Sequence, residues 1–319
     1  MSLASKMILE RYRNFESEDD KSINITYFEQ LYKKYLDNET KSLTLKEENN
    51  QSSVYPYPIA SENLKAKVLV EHYENLPDPK ESVLKEVNLC ICKMHAGLGS
   101  SVKRNDLLKK YTKRDSLGAK GTDLFIPFED NMLSIAEVHL IEVMKKEKTY
   151  RSLIYLNLVN EETSSAVKEI WDNVHPKIDK TYRELFKSEK LKARPEVYQL
   201  KMPTIDEKGE LSYERAAPAG HGFLGFYEIF ELFSNPQNHD EIMAIGNGED
   251  LKSTPDDKII SWMREEEIPI VMITTTKLEK DKKGGQLAIV DGESPYVTIV
   301  EKAQAEKANQ LEYFEALGL

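Results

Sequence analysis

The chain has 319 residues, of which 40% are hydrophobic and 31% charged, and its formal net charge is −11. That length supports the core of one large or two modest domains, and the acidic balance excludes nucleic acid and anionic membranes as general partners while leaving room for a local basic pocket that takes a small anion. Only two cysteines occur, Cys90 and Cys92, which excludes a disulfide framework and fits a reducing, cytoplasmic setting. No apolar run approaches the ~20 residues that span a bilayer, and residues 1–6 carry no signal-peptide core.

Residues 1–82 read as a helical N-terminal extension and linker. Within 22–38, Phe28, Leu31, Tyr32, Tyr35 and Leu36 recur at helical spacing. The polar stretch 47–53 is a linker by composition, and Tyr55-Pro56-Tyr57-Pro58 continues it in extended form. A core over 83–319 follows. Its first strand is 87–92, which ends in the glycine loop Gly97-Leu98-Gly99-Ser100-Ser101. Leu133, Ala136, Leu140, Ile141 and Met144 mark a helix, 152–158 a strand, and Ala166 and Trp171 a second helix. Further on, 241–247 reads as a strand, 256–265 as a helix and 268–275 as another strand. Strands alternating with helices predict an α/β fold with a mixed, mainly parallel sheet flanked by helices on both faces. Ligands on such sheets bind at the carboxyl ends of strands, so the glycine loop and Asn247-Gly248-Glu249-Asp250 are expected on one rim.

Small residues after a strand let backbone N–H groups approach a phosphate. The loop is not a dinucleotide fingerprint, because Val102 stands where a third glycine is needed, and it lacks the Gly-Lys-Ser/Thr of a P-loop. A dinucleotide-dependent oxidoreductase is disfavoured on that ground. Lys120, between the small residues Ala119 and Gly121, can reach a phosphate as a point charge; the alternative is a solvated loop lysine. The basic stretch 103–114 reads as either a lid over a polyphosphate or an exposed helix. Glu249 and Asp250 suit magnesium, which takes one or two carboxylates plus phosphate oxygens; the alternative is a turn and N-cap before the next helix. Cys90, Cys92 and His95 match no common zinc spacing, so the cysteines read as buried strand residues. No Gly-x-Ser-x-Gly hydrolase elbow occurs. His72, His139 and His175 have no partner evident in the sequence and read as structural or surface histidines.

Taken in order, these segments resemble the UDP-glucose pyrophosphorylase family. The family pattern Lys-Leu-Asn-Gly-Gly-Leu-Gly-Thr-Ser is similar to Lys93-Met94-His95-Ala96-Gly97-Leu98-Gly99-Ser100-Ser101, and its Pro-Lys pair to Ala119-Lys120. Its Met-Asn-Ser strand end resembles Leu156-Asn157-Leu158, its Gln-x-x-x-Pro segment Gln199 to Pro203, and its Pro-Pro-Gly-His-Gly Pro218-Ala219-Gly220-His221-Gly222. Its Asn-Ser-Asp-Asn-Leu resembles Asn247-Gly248-Glu249-Asp250-Leu251, its Lys-Gly-Gly is similar to Lys283-Gly284-Gly285 and its Val-Glu to Val300-Glu301. The likeness spans about 25–315. It departs at His95-Ala96, which replace Asn-Gly, at Phe223, which replaces an aspartate, and at Glu249, one methylene longer than the family's aspartate.

The resemblance implies a three-layer, Rossmann-like nucleotidyltransferase that makes a UDP-sugar and pyrophosphate from UTP and a sugar 1-phosphate with Mg2+. It implies that Met94, His95, Ala96 and Gly97 line the phosphates and base, with Gln199 and Gly220 at uracil and Asn247 at ribose. Lys120 would be catalytic, His221, Lys283 and Glu301 substrate-binding, and Glu249 and Asp250 the metal ligands. Family members continue into a sugar-binding segment and a β-helix domain, which 83–319 is expected to lack. A non-catalytic UTP- or UDP-sugar-binding relative with a regulatory or scaffold role is the alternative expectation.

Overall fold

The computed structural model describes residues 54–56, 71–97, 110, 115–128, 131–170, 196–198, 201–205, 211–218, 241–275, 285–290, 296–307 and 309–315. In chain order the elements are β1 (Val54–Pro56), α1 (Glu81–Leu84), β2 (Asn88–Met94), α2 (Lys120–Asp123), β3 (Phe125–Phe128), β4 (Asn131–Ser134), α3 (Ile135–Lys146), β5 (Ser152–Val159) and α4 (Glu161–Glu169). They continue with β6 (Glu196–Tyr198), β7 (Lys201–Ile205), β8 (Leu211–Pro218), β9 (Glu241–Asn247), α5 (Asp257–Glu265), β10 (Gln286–Val290), β11 (Tyr296–Val300), α6 (Lys302–Lys307) and α7 (Leu311–Glu315).

β2 is buried along five consecutive residues, as a strand covered on both faces must be. It lies inside a four-stranded sheet of order β6-β5-β2-β9, in which every pairing is parallel. The register sets Lys93 beside Asn157 of β5 and Gly246 of β9. Strand alternation sends Leu89 and Ile91 of β2 to one face, where they share a core with Leu140, Ile141, Val143 and Met144 of α3, Val167 of α4 and Ile260 of α5. Cys90 and Cys92 face the other way and pack with Leu156 and Leu158. Neither cysteine forms a disulfide, and burial pushes the Cys92 thiol up to about 12, which fits the reading of inert strand residues.

The helices start where side chains satisfy their free N–H groups. Ser134 and Glu137 form a reciprocal capping box at α3, Asn160 and Thr163 do so at α4, and Asp256 caps α5. The box at Ser134 also explains why Leu133, expected in the helix, pairs instead with Ile126 in the β3–β4 hairpin. The strand expected at 268–275 is absent. This segment follows α5 as irregular chain, with Ile270 and Ile273 exposed at 78% and 67%. Pro269 has no N–H to give to a ladder, and none of the described strands pairs with the segment.

The chain divides into two compact units, one holding Pro77–Ile268 with Met1–Glu29 and the other Pro269–Leu319 with Gln30–Leu76. In the second, β1, β10 and β11 form an antiparallel sheet, and Ala288 and Val300 pack on Ala305 of α6 and Phe314 of α7. Val54 of β1 faces Val290 of β10, so the contacts do not follow a boundary at 82/83: part of the expected lead-in is a strand of this second sheet. The expected helix at 22–38 lies outside the described residues.

Candidate functional site

The chain runs from β2 outward to β5 and β6, then returns to place β9 on the opposite side of β2. This reversal makes the carboxyl ends of β2 and β9 a topological switch point, where an open α/β sheet leaves a crevice. The loops that leave these two strands are joined directly, because Gly248 N–H donates to Met94 O at 2.9 Å.

Three segments build the rim. In the first, 95–97, His95 N–H donates to Leu158 O at 2.7 Å, and Ala96 O accepts from Asn160 Nδ2 at 2.8 Å. The second is the 115–123 loop with α2. The carboxylate of Asp123, 3% exposed, accepts from Leu117 N–H at 2.8 Å, Ser116 Oγ at 2.5 Å and Gly118 N–H at 3.2 Å. It folds the loop around itself through Gly118, which sits at φ +99°, a conformation open chiefly to glycine. The loop then docks on the first segment, since Lys120 N–H donates to Gly97 O at 3.0 Å. The third is the 247–254 turn after β9, and Lys120 Nζ reaches across to its Glu249 Oε1 at 2.7 Å. Both partners are about one-third exposed, so the pair opens to solvent at the crevice.

His95 lies beneath this rim. It is 2% exposed, and a methyl group on Gly121 or Gly248 would stand 2.8 Å or 2.4 Å from its Nδ1. Burial, reinforced by His139 and then Lys93, pulls its pKa down to about 3, which keeps the ring neutral near pH 7. Next to it, His139 of α3 holds Asp250 O at 2.8 Å through Nε2; burial followed by Lys93 lowers its pKa to about 4. Lys93 is fully buried and donates to Ser253 Oγ at 2.6 Å. Burial lowers its pKa to about 8.

Of the residues singled out in the sequence, Gly97, Lys120, Glu249, Asn247 and Asp250 come together at this rim. Met94 and Ala96 lie directly behind it, Met94 packed against the Cys90 and Cys92 cluster and Ala96 5% exposed. His95 is the floor of the rim rather than its lining: its ring is covered by two loop backbones that tolerate no Cβ. Asn247 is exposed, and its carbonyl accepts from Ser253 Oγ at 2.9 Å. The Asp250 carboxylate accepts from Lys252 N–H at 2.9 Å, which ties it into its own turn. Glu301 belongs to the second compact unit, where its N–H donates to Gln304 Oε1 at 2.9 Å at the start of α6. Gln199, Gly220, His221 and Lys283 lie outside the described residues, as do 98–101 of the glycine loop and 103–109 and 111–114 of the basic stretch.

Sequence reasoning passed over Lys93, Asp123, Asn160 and Ser253 as site residues. Asn160-x-x-Thr163 is a readable capping signature. Asp123 gathers the N–H and hydroxyl groups of its own loop, five to seven residues back, whereas Lys93 and Ser253 act through a contact 160 positions apart, which leaves no local pattern.

A parallel α/β sheet with its loops converging at a switch point is the architecture of nucleotide-binding α/β proteins. Residues 25–317 match the family model described as UTP--glucose-1-phosphate uridylyltransferase, and the chain belongs to that family. A UTP--glucose-1-phosphate uridylyltransferase of Saccharomyces cerevisiae is 26% identical over 246 residues, covering 75% of this chain and 44% of the relative. A UDP-glucose pyrophosphorylase variant from Leishmania major superposes with a TM-score of 0.67 at 18% identity, over 100% of this chain and 61% of that one. A second L. major variant, in complex with UDP-glucose, gives 0.66 at 18% identity over the same shares. The chain thus spans less than two thirds of the length of these relatives.

Proposed function

We propose that this chain binds UTP at the crevice between β2 and β9 and transfers its uridylyl group to a sugar 1-phosphate, with glucose 1-phosphate the first to test. The sugar phosphate oxygen attacks the α-phosphorus in line, the bond from that phosphorus to the β-phosphate bridging oxygen breaks, and pyrophosphate leaves with its electron pair. Such a step needs positioned anions and neutralised charge more than covalent help from the protein.

The observation that carries this reading is the meeting of Gly97, Lys120 and Glu249 at one rim. The Lys120 N–H ties α2 to Gly97 O in the loop after β2, while its ammonium sits at 2.7 Å from Glu249. Entering phosphates compete with Glu249 for that ammonium, and Lys120 then neutralises charge developing on them. Mg2+ belongs to the proposal. Glu249 fits as its protein ligand, being a half-buried carboxylate at the crevice. Asp250 fits less well, because its carboxylate and its carbonyl are already held by Lys252, His139 and Ser253. When bound, the ion would screen the phosphate oxygens. A cytoplasmic location is supported by Cys90 and Cys92, which are buried and form no disulfide; among the described residues no helix is long and apolar enough to cross a membrane.

The test combines calorimetry with UTP and a pyrophosphate-release assay with UTP, glucose 1-phosphate and magnesium. Binding with release supports the transferase. UTP uptake without release gives the binding-only relative instead, and neither result overturns the site.

A further inference from the structure

Lys93 is the largest fully buried side chain among the described residues. A buried ammonium is costly, and an apolar side chain of its size would often serve stability as well or better. Its contacts show what the charge does there. Nζ donates to Ser253 Oγ at 2.6 Å and Thr254 Oγ1 at 3.3 Å. An ammonium only donates, so the Ser253 hydroxyl accepts from it and spends its own proton on a carbonyl. Two carbonyls are within reach, Asn247 O at 2.9 Å and Asp250 O at 2.8 Å. The turn is thereby drawn down over Gly246, where a methyl group would stand 2.5 Å from Ser253 Cβ. His139 holds the same turn from α3. Glu142 of α3 and Asp250 are the acidic groups whose charge acts on Lys93. On its outer side the turn carries Glu249, the partner of Lys120.

We propose that Lys93 is a positioning residue of the nucleotide site: through Ser253 it fixes the 247–254 turn so that Glu249 meets Lys120, and it touches no substrate. The inference rests on reading this rim as the UTP site, and the experiment separates the two. Lys93→Met, Ser253→Ala and the double variant are made in the full chain. Hydrogen exchange is read at the amides of Gly248, Asp250 and Ser253, each of which donates a hydrogen bond in or beside the turn, and UTP affinity is read by calorimetry. In Lys93→Met these three amides exchange about tenfold faster or more while those of β5 keep their wild-type rates, as loss of one charged hydrogen bond at a local opening predicts. UTP affinity falls about tenfold, Ser253→Ala reproduces both changes, and the double variant is no worse than either single one, because the two residues act as one link. Wild-type exchange at the turn in either variant, or additive losses in the double variant, overturns the proposal. If Lys93→Met fails to fold, Ser253→Ala decides it. If the wild-type chain takes up no UTP, the functional reading falls, and the exchange rates still decide the role of Lys93.

Discussion

Among the described residues nothing lies within 4 Å of the position a Cβ would take on Gly97, in the loop after β2, whereas Gly248, in the turn after β9, would press one against His95 Nδ1 at 2.4 Å and Met94 O at 2.6 Å. The two loops face the same crevice and are built in opposite ways. In the first, no described residue crowds the glycine. The second is wedged against a buried histidine and a strand carbonyl, and its glycine is demanded by packing alone. Between them, Lys120 is tied by its backbone to the open loop and by its ammonium to the packed turn. The difference teaches that a glycine in a phosphate-loop pattern can be uncrowded by its described neighbours while a glycine that looks incidental is held by packing, in the turn that carries Glu249.

The strongest way to break this comparison is Lys120→Ala, which removes the ammonium that reaches Glu249 of the packed turn. Pyrophosphate release is expected to drop by about tenfold to a thousandfold, the range for losing one electrostatic stabiliser; unchanged turnover rejects Lys120 as the catalytic cation. Next is Gly248→Ala. The atoms it would strike include the main chain of β2, which cannot step aside, so urea denaturation should show a loss of about 3 kcal/mol. Gly97→Ala is the matched control: stability within about 0.5 kcal/mol of wild type, with weaker UTP binding because the methyl fills the open side. Equal stability losses at 97 and 248 would erase the contrast.

The histidine floor gives a pH signature. His95 and His139 have folded-state pKa values of about 3 and about 4, below the unfolded value of 6.5. The unfolded chain therefore binds more protons between these limits, so their contribution to stability is complete above pH 6.5 and is lost as pH falls toward 4. Each histidine is expected to cost about 2 kcal/mol or less at pH 5. Thermal melts from pH 7 to 5 check this, and His139→Gln should flatten the profile. Asn160→Ala, which removes the cap of α4 and the anchor on Ala96 O, is expected to cost about 1 kcal/mol in the same urea denaturation.

Much of the first unit was legible. The runs at 87–92, 152–158 and 241–247 fall on β2, β5 and β9, and 256–265 on α5 with its cap, because strands of a parallel sheet leave apolar runs and helices leave caps. The rim was legible too, in that the segments after the first and third of these strands meet. Three features were not. The apolar run at 268–275 reads as a strand, but a strand exists only through a neighbour, and composition does not reveal one. Apolar spacing alone puts Leu133 in α3, whereas Ser134-x-x-Glu137 starts the helix at Ile135. The side chain of His95 was assigned to the rim, although strand direction and the crowding of Gly121 and Gly248 place it underneath.

By itself the sequence determined the α/β class, the family and the segments that carry the site, because apolar periodicity and motif order are local properties written along the chain. Only the tertiary structure decided that Lys120 faces Glu249, that Lys93 and His139 hold the turn from below, and that Gly248 rather than Gly97 is fixed by packing. Those contacts join residues more than a hundred positions apart, and their geometry comes from strand register and burial rather than from any neighbourhood in the chain.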